Sequence, residues 1–599
     1  MATRTMTPRP PPQARQSDLT RRTSFPDDLA DQHILNKLHR WIWCFALVDF
    51  DLDTGPILDN LYPNVNLPST AKANIAFSSL PEGELPSSRT LSYSWRIPMS
   101  SATTRRTATT NVTTKGQQCD SVPPGGDGYL HGYVYFIQEK DERIRRGFAQ
   151  RSLVLISHLP SLPGLFETAL SVIGPLFFKH KQGGGGTIEA ACHNIANWPG
   201  PTAGSSLELP LLGSVLSLPA SVPLTPLSTA LHGTLSFSRI LLLWELVLLG
   251  EPILISAPDS RTGADLVHHF RNLIRPIPFA GDYRPFFHIH DTDYSSIANN
   301  SKPAPGTIIA TTNPLVVSSC KHWSNIVRTS LVKTDDANVV AGLTSPRKRH
   351  IQKDSKVSKS VDKSFKSGDY LGCDAIIFQH LAHLTELFLA PLNRFFGTLS
   401  TGDKSLSSPT TSRSFTIDNF ITSLTSYGTP LPFRSTPTSI ATPLSVQQRF
   451  YTKFLTSPNF GLWLMERSNL EHEEERKRYL NRLEMTDLNL WWQEKQRGTN
   501  EVDDLVERLE KEAVLSEGSS ELTKTASNER SQRLRSQAAR LRTLRDSRSR
   551  STSVDSFKDG GRASVAASEA GTGFVAQAMS STATLTSAVD SDDFDAASF

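Results

Sequence analysis

Apolar residues crowd most densely at 239–257, RILLLWELVLLGEPILISA. The run from Ile240 to Leu249 contains Glu245 and stops at Gly250-Glu251-Pro252. Crossing a bilayer takes about 20 mostly apolar residues, and a carboxylate midway costs several kcal/mol. The stretch therefore reads as the interior of a soluble domain. The pattern predicts a buried helix ending near Leu249, with Gly250 as its C′ residue and Pro252 blocking continuation. Residues 253–257 do not alternate, which predicts a short strand buried on both faces. Asp259 or Ser260 caps a second helix whose Leu266, Val267, Phe270, Leu273 and Ile274 follow helical spacing. Trp244, Glu245, Gly250 and Pro252 are assigned to the scaffold.

Upstream, WIWCFALVDFDLDTGPILDNLYP predicts a strand, a DxDTG-type turn and a second apolar segment. LSYSWRIP and LHGYVYFIQEKDER are strand candidates, the latter alternating at Tyr133, Tyr135 and Ile137; residues 152–157 add another. LPGLFETALSVIGPLFF then reads as a helix, so 38–180 is a small α/β domain with a mostly antiparallel sheet. EAACHNIANWP predicts a short helix and a turn. In the block from about 205 to 330, RPFFHIHD and GTIIATTNP read as strands and KHWSNIVRTSL as a closing helix followed by a strand. From 369 the pattern is helical, with Ile377, Leu381, Leu384, Phe388 and Leu392 on one face. The fold class is thus α/β plus α.

Composition sets the boundaries. The Pro/Arg/Ser-rich residues 1–35 and the Ser/Ala/Arg-rich 515–599 read as disordered. A polar insertion occupies 99–128, linkers fall at 181–204 and 334–368, and a further insertion lies around 400–440 within the helical region 369–514. The core α/β block is 205–333. The N-terminus has arginines but no apolar core, which does not fit a secretory signal. Five cysteines without CxxC spacing argue against a zinc finger or disulfide framework. A net charge of +4 over 599 residues gives no whole-chain argument for nucleic acid.

Candidate chemistry is sparse. GGGG at 183–186 lacks the GK[ST] of a phosphate loop and reads as linker. His288 and His290 at i, i+2, with Asp291 beyond and His268 and His269 nearby, could bind a metal; the alternative is a strand that tolerates two histidines. Asp49, Asp51 and Asp53 precede Gly55 as in a calcium loop, but Leu61 stands where the closing glutamate belongs. The basic run 530–550 has a faint apolar face at Leu534, Leu541 and Leu544; it reads as a solvated tail or as a contact for anionic membrane or RNA. No GxSxG elbow or Cys/His pairing stands out. No cofactor, metal or small-molecule substrate is expected.

The order of the segments adds a resemblance. WCFALVDFDLDTGPILDNLYP, GYVYFIQEKDERIRRGFAQRSLVLIS, LLWELVLLGEPILISAPD, DYRPFFHIHD, ATTNPLVVSSCKHW and FLTSPNFGLWL follow one another as in DENN-domain proteins. Over roughly 38–500 the chain most resembles the type 6 subfamily, with a fungal-type member expected. The resemblance implies a tripartite architecture: an upstream longin-like lobe at 38–180, a core lobe at 205–333 and a downstream helical part at 369–514. It also implies guanine nucleotide exchange on a Rab-family small GTPase, in a cytoplasmic protein recruited peripherally to endosomal membranes. No bond is made or broken in such an activity. A scaffold or tether that binds trafficking GTPases without exchange is the alternative. By the same resemblance the GTPase lies across the two α/β lobes, at the loop ends Asp49, Asp51 and Asp53, Asp282, Tyr283 and Arg284, and Asn313 and Pro314. For each of these, a turn or a local ion pair is the competing reading.

Overall fold

In the computed structural model, the residues described are 31–82, 88–98, 127–160, 162–179, 184–201, 208–217, 222–231, 233–299, 301–329, 332–334, 337–339, 341–399, 414–434, 443–486, 488–493, 499–517 and 524–556. Residues 1–30 of the N-terminal stretch expected at 1–35, nearly all of the polar insertion, 400–413 and 435–440 of the insertion expected around 400–440, and the end of the tail lie outside them.

After helix α1 (Gln32–Leu38), strands β1 (Cys44–Asp51) and β2 (Gly55–Tyr62) form a hairpin, and α2 (Ser69–Ser78) leads to β3 (Arg89–Pro98), β4 (Tyr129–Lys140) and β5 (Phe148–Ser157). All pairings are antiparallel, in the order β2-β1-β5-β4-β3. Alternation along the strands gives the sheet two apolar faces. Phe45, Leu47, Leu153 and Leu155 pack on α3 (Pro163–Lys179) and α4 (Gly185–Ala196). Trp43, Val48, Tyr93, Trp95 and Val154 face α2 and share their cluster with Ala264 and Phe286 of the next lobe. Gly132 has no room for a side chain, because a Cβ there would lie 2.1 Å from the Trp95 indole. Gly185 and Gly186, expected in a linker, open α4.

The hairpin β6 (Glu208–Leu211) and β7 (Ser214–Ser217) and the short α5 (Leu227–Ala230) precede α6 (Phe237–Leu248), β8 (Ile253–Ser256) and α7 (Ser260–Asn272). Then come β9 (Tyr283–Arg284), α8 (Tyr294–Ile297), β10 (Ile308–Thr311), α9 (Pro314–Ser319), β11 (Ile326–Arg328), the hairpin β12 (Val332–Thr334) and β13 (Ala337–Val339), and β14 (Gly342–Thr344). The second sheet runs β14-β11-β8-β10-β9, parallel except for β14. Its centre is β8, the strand whose lack of alternation marked it as buried on both faces.

Helix α6 is buried all round from Ile240 onward. It ends in a Schellman motif: Glu251 N donates to Leu246 O and Gly250 N to Val247 O, with Gly250 at φ +65°. Trp244 Nε1 donates to Thr385 Oγ1 at 3.0 Å. The Glu245 carboxylate accepts from His350 N, Ile351 N and the His350 ring, and so anchors the segment after β14. Asp259 caps α7 by accepting from Thr262 N. Two strand and helix expectations are corrected. RPFFHIHD is a strand only at its first residue, within β9, and turns from Pro285 onward. The helix expected at KHWSNIVRTSL lies earlier, at α9, because Asn313 caps it and Pro314 fits its first turn.

Helices α10 (Ser355–Lys366) and α11 (Tyr370–Gly397) complete this core with α12 (Ile417–Tyr427), α13 (Pro443–Leu455) and α14 (Pro458–Met485). Length and composition would let α11 span a bilayer. Its stripe Ile377, Leu381, Leu384, Phe388 and Leu392 instead lies in the same apolar cluster as α6, and Phe388 stacks on Tyr451 at 4.7 Å.

From Lys477 the chain belongs to a second compact unit. It contains the end of α14, α15 (Leu488–Gln493), α16 (Thr499–Glu517) and α17 (Lys524–Ser556). Residues 524–556, expected as disordered tail, are helical. Leu534, Ala538 and Leu541 bury themselves with Val502, Leu505 and Leu509. Arg542 pairs with Glu510 at 2.7 Å and Arg545 with Asp503 at 2.5 Å. The basic run is one half of a charge-matched helix pair. Leu534→Asp is expected to cost about 3 kcal/mol of this unit's stability and to lower helicity, as read by circular dichroism on chemical unfolding.

Candidate GTPase-binding face

Strand β3 is an edge of the first sheet, and an uncovered edge invites pairing with other chains. Here α7 and β9 cover it. At this junction Arg96 from β3 lies with its guanidinium 3.2 Å from the Tyr129 ring centroid and 4.1 Å from that of Tyr283. Arg271 from α7 also lies over the Tyr283 ring, 3.6 Å from its centroid. Arginine and tyrosine thus alternate through the junction, each cation over an aromatic face.

Carboxylates close the network. Arg96 Nη1 donates to Asp282 Oδ1 at 2.5 Å, and Arg96 Nη2 to Asp127 Oδ2 at 2.9 Å. Arg284, only 1% exposed, pairs with Asp282 at 3.2 Å and with Asp293. Burial would raise the Asp127 carboxyl, but His131 and Arg96 outweigh it and hold the group well below its usual range. Asp282 follows the same balance, with burial opposed by Arg284 and Arg96. Such a network holds two lobes in one register because breaking any pair strands a buried charge.

The candidate contact residues fall into two groups. Tyr283 and Arg284 are interior and Asp282 is half-buried against Arg96 and Arg284, so the structure places all three within the junction. The others lie nearer the surface. Asp49 accepts from Arg151 Nε at 2.7 Å across the β1–β5 pairing. Asp51 accepts from the Asp53 and Thr54 amides, whose hydrogen bonds lower its pKa, and so shapes the hairpin turn. Asp53 is exposed at the tip beside exposed Leu52. Asn313 caps α9 through Leu315 N, Pro314 is exposed, and Leu315 is 65% exposed.

The end of α2 draws these surface groups together. Ser152, paired with Val48 one residue before Asp49, donates to Ser79 O at 2.6 Å. Ser78 Oγ lies 3.0 Å from His288 Nε2, Asn74 donates to Thr292, and Phe77 stacks on the His290 ring at 4.4 Å. Burial raises the Glu82 carboxyl, and the neighbouring Asn313 and Thr312 side chains act against that rise. The seam therefore joins the hairpin base, the 288–292 turn and the start of α9, with Leu315 and Ile289 as exposed apolar points. His288 and His290 sit in a turn, not on one strand face, and His288 is pushed down to about 3 by burial. Among the described residues no group of three or more His, Cys, Asp or Glu is placed to share a metal ion. Sequence reading missed Arg96, Tyr129 and Arg271. The one available signal was an arginine inside the apolar strand SYSWRIP.

Replacing Arg96 by Leu removes the cation shared by Asp127 and Asp282, leaving them only His131 and Arg284, and is expected to cost about 2 kcal/mol in urea unfolding. Asp291 is raised to about 7, chiefly by burial, although the His288 amide donates to it. Its folded pKa exceeds the unfolded one, so its contribution is most favourable below about pH 4 and is lost as pH rises to about 7. Asp291→Asn keeps an acceptor for that amide, and melting temperatures across this window are expected to show a shallower fall than in the wild type.

No protein-family model matches the chain. Curated relatives do. Protein DENND6A of Mus musculus is 28% identical over 503 residues, covering 76% of this chain and 80% of that protein. Protein DENND6B of Homo sapiens is 26% identical over 541 residues, covering 82% and 90%. The Protein DENND6 homolog of Dictyostelium discoideum is 26% identical over 469 residues, covering 61% and 62%. These relatives leave the expectation of a fungal-type member open. With most of both chains aligned in the first two cases, the chain is similar over most of its length to proteins named for the DENN type 6 family.

Proposed function

We propose that this protein is a guanine nucleotide exchange factor for a Rab-family small GTPase, and that the GTPase docks along the seam between the two α/β lobes. On this reading 38–180, 205–333 and 369–514 are the upstream, core and downstream parts of a DENN architecture. The protein works from the cytoplasm, recruited peripherally to endosomal membranes. The observation that carries the docking site is the meeting of the hairpin base, the 288–292 turn and α9 around the end of α2. Ile289 and Leu315 stand exposed there, beside Asn313, and Leu52 and Asp53 stand exposed at the hairpin tip. An exchange factor needs such a shaped surface and no bond-breaking groups. It binds the nucleotide-free GTPase more tightly than the GDP-bound form, so GDP leaves sooner and GTP then displaces the factor.

Leu315 is the sharpest test, since it is apolar, exposed and remote from the core. With the full chain, release of fluorescent GDP from a panel of Rab proteins is expected to accelerate for one or two of them. Leu315→Glu is expected to reduce that acceleration roughly tenfold or more at unchanged melting temperature. Binding to a Rab without faster GDP release would instead support the scaffold reading.

A further inference from the structure

Cations gather on a different face of the first unit. The segment after β14 reads Ser345-Pro346-Arg347-Lys348-Arg349-His350, and the Glu245 carboxylate fixes it from within. Ile351 forms an isolated bridge with Phe433, and Arg434 N donates to His350 O at 2.8 Å. This sets Arg434 against Arg349: its Nη1 lies 3.4 Å from Arg349 O, and the like charge adds to burial in lowering the Arg349 pKa. Helix α13 joins the same surface. The Phe450 ring packs on His350 and on Phe433, each at 5.5 Å, while Arg449 and Lys453 line a shallow groove of about 590 Å³ with Ile421, Gln448, Thr452 and Thr456.

Few acids answer these charges. Glu251 holds Arg347 at 2.6 Å and also Lys453. Glu245 is spent on the backbone of 350–351. Lys348, Arg434 and Arg449 are exposed, and among the described residues none of them is paired to a carboxylate. The arginines of α17 differ, since Glu484, Glu510 and Asp503 neutralise several of them. Crowding like charges around a rigid bridge costs stability unless an anionic partner is present.

We infer that this surface, made by Arg347, Lys348, Arg349, Arg434, Arg449 and Lys453, docks onto an anionic lipid bilayer, with headgroup phosphates seated at the Arg449–Lys453 groove. It extends the peripheral-membrane reading above by assigning the contact. A bilayer fits better than a nucleic acid or an acidic peptide for two reasons. Cations carried on separate segments suit a diffuse anionic plane, whereas single-stranded nucleic acid calls for several exposed rings in series on which successive bases stack, and Tyr427 offers one. The exposed aromatic near the groove is Tyr427, 72% accessible and covered by Arg394 at 5.0 Å, at the end of the helix that supplies Ile421. Such an amphipathic ring suits the bilayer interface.

Flotation of the full chain with vesicles tests this directly, comparing phosphatidylcholine alone with phosphatidylcholine containing phosphatidylserine and a phosphatidylinositol phosphate. Salt-sensitive binding to the anionic vesicles is expected, weakened at least about twentyfold by Arg434→Glu with Arg449→Glu. Lys348→Glu should weaken it in the same direction, and Arg434→Lys with Arg449→Lys should retain it. Both charge-reversed proteins should keep the wild-type melting temperature, as the altered side chains are exposed. If the wild type ignores anionic vesicles, both the surface and the membrane reading fall, while GDP release, measured without vesicles, is untouched. If it binds but only Arg535→Glu with Arg540→Glu in α17 abolishes binding, the surface is wrong and membrane association stands. Capture of an RNA oligonucleotide in place of vesicles would likewise overturn the assignment.

Discussion

The stack of Tyr129, Arg96, Tyr283 and Arg271 is the constraint from which the two α/β lobes take their common frame. It sits where the edge strand β3 would otherwise present unpaired backbone, so one arrangement both covers an edge and fixes a register. Arg96 has both an aromatic face and two carboxylates within reach, and Arg271 lies over the same Tyr283 ring. A surface shared by two lobes can then be presented as one rigid shape, which a partner recognised by shape requires.

Inside the second lobe, a buried carboxylate plays a comparable part. Glu245 lies in the most apolar helix of the chain, where a charge without partners would be costly. Three donors from His350 and Ile351 satisfy it. The same contacts hold the basic segment 345–350 in place, so a core residue determines how a surface displays its charge. At the helix end, Gly250 at positive φ lets the backbone turn directly into β8.

Much of this was legible along the chain. The C-terminal stop at Gly250, the cap at Asp259, the central strand β8 and the stripe on α11 all follow from local spacing, and local spacing is what sequence pattern measures. Where pattern failed, the missing information was distant. RPFFHIHD has strand composition, yet it turns because His288 and Thr292 bond to α2. The run at 530–550 looked like a solvated tail when weighed by itself. Its acidic complement at 501–512 lies on the preceding helix, α16, and supplies the missing ion pairs and apolar stripe.

The candidate site divides in the same way. Sequence placed turns at Asp51–Asp53 and at Asn313–Pro314, because Asp and Asn bond their own backbone and proline fixes φ, effects confined to a few residues. It also determined the α/β plus α class, through periods of two and 3.6 residues. Tertiary structure alone decided that Tyr283 and Arg284 turn inward while Leu315 stays out. That choice depends on Arg96 and Arg271 arriving from other elements to stack on one ring, and no local period encodes which distant cation will meet which aromatic face.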